Sequence, residues 1–169
     1  MPIGVPRLRT RSEIPKPRLR PATPGDRELL YQLYRAARDP EMAATEWSAA
    51  EKDAFLRFQF NAQDAHYRTS YPGAELSVIT LDLEAIGRQY VYRTLSETRL
   101  MEITLFVAFR NLGIGTILTQ QLLDEARLAR KTVSLHVDPN NPASRLYARL
   151  GFRVVRDLGS CVLMEAKPE

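Results

Sequence analysis

The chain has 169 residues, 44% hydrophobic and 26% charged, which suits one soluble domain with a real core. No apolar run approaches the ~20 residues of a bilayer span and no charged n-region leads into an apolar stretch, so neither a membrane partner nor a secretory route is expected. A single cysteine, Cys161, points to a reducing, cytoplasmic setting, and with only His66 and His136 beside it argues against a metal site; the net charge of +4 is concentrated at one end.

Residues 1–20 hold Arg7, Arg9, Arg11, Lys16, Arg18 and Arg20 against one acid, Glu13, which leaves the remainder close to neutral. With Pro2, Pro6 and Pro15 and no apolar period, residues 1–16 read as a disordered basic extension. That segment has no aromatic residue to stack on bases, which argues against nucleic acid as a partner. Order is expected from Pro17, with residues 17–169 forming one domain.

Arg18-Leu19-Arg20 alternates like a short strand. Thr23-Pro24-Gly25-Asp26 then reads as a helix start, with a capping threonine, proline in the first turn and an acid reaching back. Leu29, Leu30, Leu33 and Tyr34 follow at helical spacing, and Asp39-Pro40 is expected to interrupt them. A second helix opens at Ser48 with Glu51 as its capping-box partner and stops at Tyr71-Pro72-Gly73. The period then changes to two. Strands are expected over 76–81, 86–92 and 100–106, with Asp82-Leu83-Glu84 at a hairpin tip. Ile114, Leu118, Leu122 and Ala126 mark one face of a helix over 113–130. A strand over 132–137 follows, then a short helix opened by Asn141-Pro142 and closed by Gly151, then strands over 152–155 and 162–164. The order is mixed α/β: an antiparallel meander first, a β-α-β crossover later.

The stretch from Leu105 to Thr116 carries the chemistry. A strand feeds a glycine-bearing turn (Arg110-Asn111-Leu112-Gly113-Ile114-Gly115), and the turn feeds a helix. Unpaired N–H groups at a helix start bind phosphate, glycine permits close approach, and Arg110 adds fixed charge. A P-loop lysine is missing, and Leu118 stands where a dinucleotide fingerprint needs its third glycine.

Further on stands Asn141-Pro142-Ala143-Ser144-Arg145-Leu146-Tyr147-Ala148-Arg149-Leu150-Gly151-Phe152. Together with Arg110-x-x-Gly113-x-Gly115, it resembles the GCN5-related N-acetyltransferase (GNAT) superfamily over about residues 17–166. The resemblance implies an α/β (α+β) fold: a mostly antiparallel sheet of six to seven strands, helices on both faces, and strands splayed at an acetyl-CoA site. It implies transfer of acetyl from acetyl-CoA to a primary amine by direct attack in a ternary complex. The amine is that of a small molecule, an amino acid, a peptide or a protein. A GNAT-like CoA-binding sensor or assembly module without catalysis is the alternative, and a homodimer stands by family analogy alone.

By the same resemblance, the backbone of Leu105, Phe106 and Val107 would pair with the pantetheine arm, the N–H at Leu105 polarising the thioester. Amides of Asn111, Leu112, Gly113, Ile114, Gly115 and Thr116 would hold the pyrophosphate beside Arg110. Asn141 would contact the cofactor, and Tyr147 would protonate the leaving thiolate. Val107 replaces a common proline, Asn111 and Leu112 replace common glycine or basic residues, and Leu83 replaces a hairpin glycine, so a loop longer than two residues is expected there.

The general base is sought on the strand that delivers the thioester, where Glu97 and Glu102 are both candidates and a solvated strand charge explains either equally well. If Leu105 faces the cofactor, alternation puts Glu97 on its side and Glu102 on the other, unless a bulge intervenes. In the second helix Gln59, Gln63, His66 and Tyr67 fall where the family lines its acceptor site; an exposed polar face accounts for them as well. His136 is given no role.

Overall fold

A computed structural model describes residues 14–168. The strands are β1 (Arg18–Pro21), β2 (Glu75–Leu81), β3 (Glu84–Arg93), β4 (Glu97–Leu105), β5 (Thr132–Val137), β6 (Arg153–Asp157) and β7 (Val162–Ala166). They form one seven-stranded sheet in the order β1-β2-β3-β4-β5-β7-β6. Only β4 and β5 run parallel; every other pairing is antiparallel. The expected fold is the one that forms. Most of the expected segment 1–16 lies outside the described residues, and Ile14, within it, packs against the cluster of Ile79, Ile86 and Leu118.

Helices α1 (Arg27–Ala43) and α2 (Ala49–Ser70) cover one face of the sheet, where Leu30, Tyr31, Tyr34, Leu56 and Phe60 pack on Leu76. Helices α3 (Ile114–Leu128) and α4 (Ala143–Arg149) cover the other. There Leu118, Leu122 and Ala126 meet Ile79, Val91, Leu100, Val133, Leu135 and Val137, the apolar positions read at helical and strand spacing. No helix among the described residues is long and apolar enough to cross a membrane.

The second helix starts as its capping box predicts: Glu51 N–H donates to Ser48 Oγ (3.2 Å), and Ser48 N–H donates to Glu51 Oε2 (2.7 Å). Three expectations are corrected. First, α1 runs through Pro40 to Ala43. Proline forfeits one amide bond there, but it falls in the last turn, and Met42 beyond it packs against the Leu30–Phe60 cluster. Second, the hairpin at Leu83 is tight, with Leu81 paired to Glu84 across two residues. Asp82 takes a φ of 52°, a left-handed conformation that aspartate tolerates, so glycine is not needed.

The third correction concerns β4. Tyr90 faces Glu102 and Val91 faces Leu100, so Met101 is an extra residue, a bulge. Past it, Ile103 and Leu105 pack on the α3 side, while Glu102 and Thr104 turn toward α1 and α2. Before it, Glu97 bonds Ser134 Oγ on that same α1/α2 side, where the Arg99 guanidinium sits 6.0 Å from the Tyr71 ring. The bulge thus shifts the alternation by one residue, and Glu97 lies opposite to Leu105 rather than beside it.

At the start of α1, Asp26 Oδ2 accepts from Thr23 N–H (2.7 Å), and Arg20 forks onto both carboxylate oxygens at 2.7 and 2.8 Å. The Arg20 bond first, then the Thr23 amide, hold the Asp26 carboxyl far below the ordinary carboxylate range. A group whose pKa is depressed in the folded state lends stability above its unfolded pKa and loses it as pH falls. Asp26→Asn should therefore cost on the order of 1–2 kcal/mol at pH 7. Its deficit against the unmodified chain should shrink steadily below about pH 4, as denaturant unfolding at a series of pH values will read.

Candidate active site

Strands β4 and β5 are paired only from Glu97↔Thr132 to Leu100↔Leu135. Beyond that point they part, helped by the Met101 bulge, and open a cleft of about 710 Å³ lined by residues 100–105, 135–138 and the starts of α3 and α4. On its other edge β4 stays paired to β3, and Phe106 N–H donates to Ile86 O (3.0 Å). Successive amides of a strand point to opposite edges, so the N–H groups of Leu105 and Ile103 point into the gap. Val107 lies past the strand, opening a 3₁₀ turn (Val107–Phe109), and its carbonyl already accepts from Arg110 N–H (3.2 Å).

The turn into α3 uses two left-handed residues, Asn111 (φ 60°) and Gly113 (φ 87°). Asparagine adopts this conformation more readily than most residues, which is why it can stand where glycine is common. Among the described residues no acceptor meets the amides of Asn111, Leu112, Gly113, Ile114, Gly115 or Thr116; the first bonded one is Ile117 N–H, to Gly113 O at 3.0 Å. Unpaired amides at the positive end of a 15-residue helix form an anion cradle. Leu112 packs against the Ile79–Leu118 cluster, so its side chain anchors the turn rather than serving the cradle. Arg110 lines the cleft, with Nε donating to Leu105 O (3.0 Å).

Across the cleft, Asn141 Oδ1 accepts from Ala143 N–H (2.9 Å) and so starts α4. Tyr147, one turn later, lines the cleft with its ring edge-on to Phe152, centroids 5.7 Å apart. Burial pushes its phenol pKa up, so the hydroxyl keeps its proton at neutral pH and is a donor. Thr119, fully buried on α3, also lines the cleft, and its Oγ1 has no partner among the described residues. A polar residue flanked by Leu118 and Leu122 was its one signal in sequence.

On the α1/α2 side the cleft reaches Ala37, Glu102 and His136. Glu102 is pinned: Arg88 Nη2 donates to both carboxylate oxygens (2.8 and 2.7 Å), and Thr104 Oγ1 donates to Oε1 (2.7 Å). The Arg88 side chain is only 3% exposed. His136, exposed at its outer side, is held below its ordinary pKa by partial desolvation and then by the nearby Arg99 charge, which favours the neutral ring. It faces the α1/α2 side because Leu135 and Val137 take the other, and strand alternation marked it out. Glu97 does not line the cleft; its carboxylate meets Ser134 and Arg99 Nη2 (3.2 Å).

The four polar residues of α2 do not converge. Gln63 and Tyr67 line a second cavity beneath the helix. His66 is exposed, its Nδ1 3.2 Å from Ser70 Oγ, and Gln59 lines neither cavity. No cluster of His, Cys, Asp or Glu able to hold a metal forms among the described residues.

The sequence profile of the acetyltransferase (GNAT) family matches residues 30–152. Among solved structures, the PaiA N-acetyltransferase of Thermoplasma acidophilum in complex with coenzyme A is 19% identical, with a TM-score of 0.67 over 89% of this chain and 98% of that one. A GNAT family acetyltransferase of Elizabethkingia anophelis with acetyl-CoA bound is 18% identical, with a TM-score of 0.58 over 90% of this chain and 98% of that one. The ribosomal-protein-S18-alanine N-acetyltransferase of Escherichia coli is also 18% identical, with a TM-score of 0.61 over 90% and 94%. With the profile spanning well over half of the residues, from α1 to the close of α4, the chain belongs to the GNAT acetyltransferase family.

Proposed function

We propose that this protein transfers the acetyl group of acetyl-CoA to a primary amine by direct attack in a ternary complex. One observation carries the reading: the amide cradle at 111–116, the inward N–H groups of parted β4 and the protonated Tyr147 all border one cleft. The pyrophosphate lies on the cradle beside Arg110, with Asn141 near the cofactor. The pantetheine arm pairs with the free edge of β4 as an added strand would, using the backbone at Leu105.

The amine enters from the α1/α2 side. His136, neutral and facing that side, takes the ammonium proton, and the freed nitrogen attacks the thioester carbon. The carbonyl oxygen gains negative charge and is held by Leu105 N–H. The carbon–sulfur bond then breaks as the attacking nitrogen sheds its second proton to solvent, and the thiolate takes the Tyr147 proton, which is later restored from solvent. Alignment of the two substrates supplies much of the rate. Glu102 borders the cleft and is the rival base, but its oxygens are engaged by Arg88 and Thr104. Glu97, away from the cleft, is the weaker of the two glutamates. Small amines, amino acids, peptide N-termini and lysine side chains all remain acceptors in this reading, with Gln63 of α2 accepting from Arg88 of the Glu102 pair.

Tyr147→Phe should lower kcat about 10²-fold in a thiol-release assay while calorimetric binding of acetyl-CoA stays the same. Equal turnover in both proteins would remove the acid role. Firm acetyl-CoA binding without transfer to any of a broad amine panel would leave a binding module in place of an enzyme.

The pH profile separates the bases. Activity should rise with pH as His136 loses its proton, with a midpoint below the ordinary value of about 6.5, and His136→Gln should abolish that limb. A limb that survives His136→Gln and disappears in Glu102→Gln would transfer the role to Glu102.

A further inference from the structure

The second cavity lies beneath α2, on the far side of the Arg88–Glu102 pair from the cleft, and measures about 430 Å³. That volume falls in the range of small-ligand pockets, about 300–1,000 Å³. Phe60, Tyr67 and Tyr90 wall it with aromatic rings, Leu30 and Leu76 add aliphatic surface, and Arg88 also lines it. The Arg88 side chain is 97% shielded, and its Nε and Nη2 are spent on Glu102 and Gln63. Its Nη1 has no partner among the described residues. A guanidinium this sheltered, with one nitrogen free of protein partners and open to the cavity, favours an anionic acceptor that bonds it there. At the rim, Arg27 and Arg68 add two further cations. The one carboxylate of the lining, Asp64, is shared between them at 3.5 and 3.1 Å.

We infer that this cavity is a binding site for a small organic carboxylate with an aromatic or other flat apolar body. The carboxylate meets Arg88 Nη1 at the floor, and the body lies among Phe60, Tyr67 and Tyr90. Cationic amines are disfavoured by the three arginines, which sets this ligand apart from a simple amine acceptor. The inference does not depend on acetyl transfer, because it rests on the cavity and its charge alone.

Phenylacetate, N-benzoylglycine, phenylacetamide and phenethylamine, titrated into the full chain with saturating coenzyme A present, test it by amide NMR shifts and calorimetry. The two carboxylates should bind saturably, about ten-fold or more tighter than the amide, with phenethylamine weakest. Shifts should map to α2 and β3. Ala22→Trp, which fills the cavity from its rim, should abolish binding. The charge-neutral pair Arg88→Met with Glu102→Gln should erase the preference for carboxylate over amide; thermal melts of both variants check that they fold. Absence of saturable binding by either carboxylate, equal affinity for acid and amide, or binding undiminished by Ala22→Trp would overturn the assignment.

Discussion

The parting of β4 from β5 is the constraint on which the rest of the molecule depends. A sheet is ordinarily a closed account of backbone donors and acceptors, and leaving two central strands unpaired exposes their polar edges. Here the separation begins after Leu100 and Leu135 and is fixed from both ends. The Met101 bulge turns β4 away on one side, and the turn from Val107 to Gly113 carries the chain off to α3 on the other. Pairing with β3 stays continuous along β4 through the bulge, so the strand is anchored along one edge while its other edge faces the cleft. The parted edge is thus a pre-formed pairing site whose cost is met in the folded protein.

The same bulge determines which chemistry reaches the α1/α2 side. Counted on from Leu100, strict alternation would turn Glu102 to the α3 side, where Leu122, Leu135 and their neighbours could not solvate a charge. The extra residue sends it toward Arg88 instead. A half-buried carboxylate and a buried guanidinium in close contact satisfy each other at the expense of their solvation, and such a pair is demanding about its geometry. Gln63 and Thr104 complete the arrangement from α2 and β4. Arg88 consequently borders one cavity while holding a residue that borders the other.

Much of this was legible in the sequence. The capping boxes at Thr23 and Ser48, the switch from helical to alternating period after Tyr71, and the two glycine-bearing motifs fixed the order of elements and the location of the cleft. Misreadings share one cause: local rules were applied where tertiary packing or a single permissive residue overrode them. Pro40 sits in a last turn held down by Met42, and Asp82 does the work expected of glycine. The bulge at Met101 has no local signature, because an extra residue is defined only against the partner strand, and with it went the facing of Glu97. The placement of Arg88 between the two cavities was hidden for a related reason. It matters through what a distant element leaves unfilled beside it, and no spacing along the chain records that.

The departures from the family pattern around the turn into α3 fall into place once backbone and side chain are considered separately. An anion cradle built of amides requires a particular path of the main chain and tolerates any side chain compatible with that path. Asn111 preserves the path because it accepts a positive φ, and Gly113 preserves it where the chain turns more sharply into the helix. Leu112 gives up a cation that would have met phosphate through solvent, where charge is screened and worth little. In exchange it plugs the apolar seam beneath α3 beside Phe109 and Ile114, and so stiffens the turn whose amides must stay aligned. The site therefore trades long-range attraction for rigidity. Its grip on an anion should owe more to oriented N–H groups than to net charge, consistent with a chain whose excess positive charge is concentrated in the sequence of its first twenty residues.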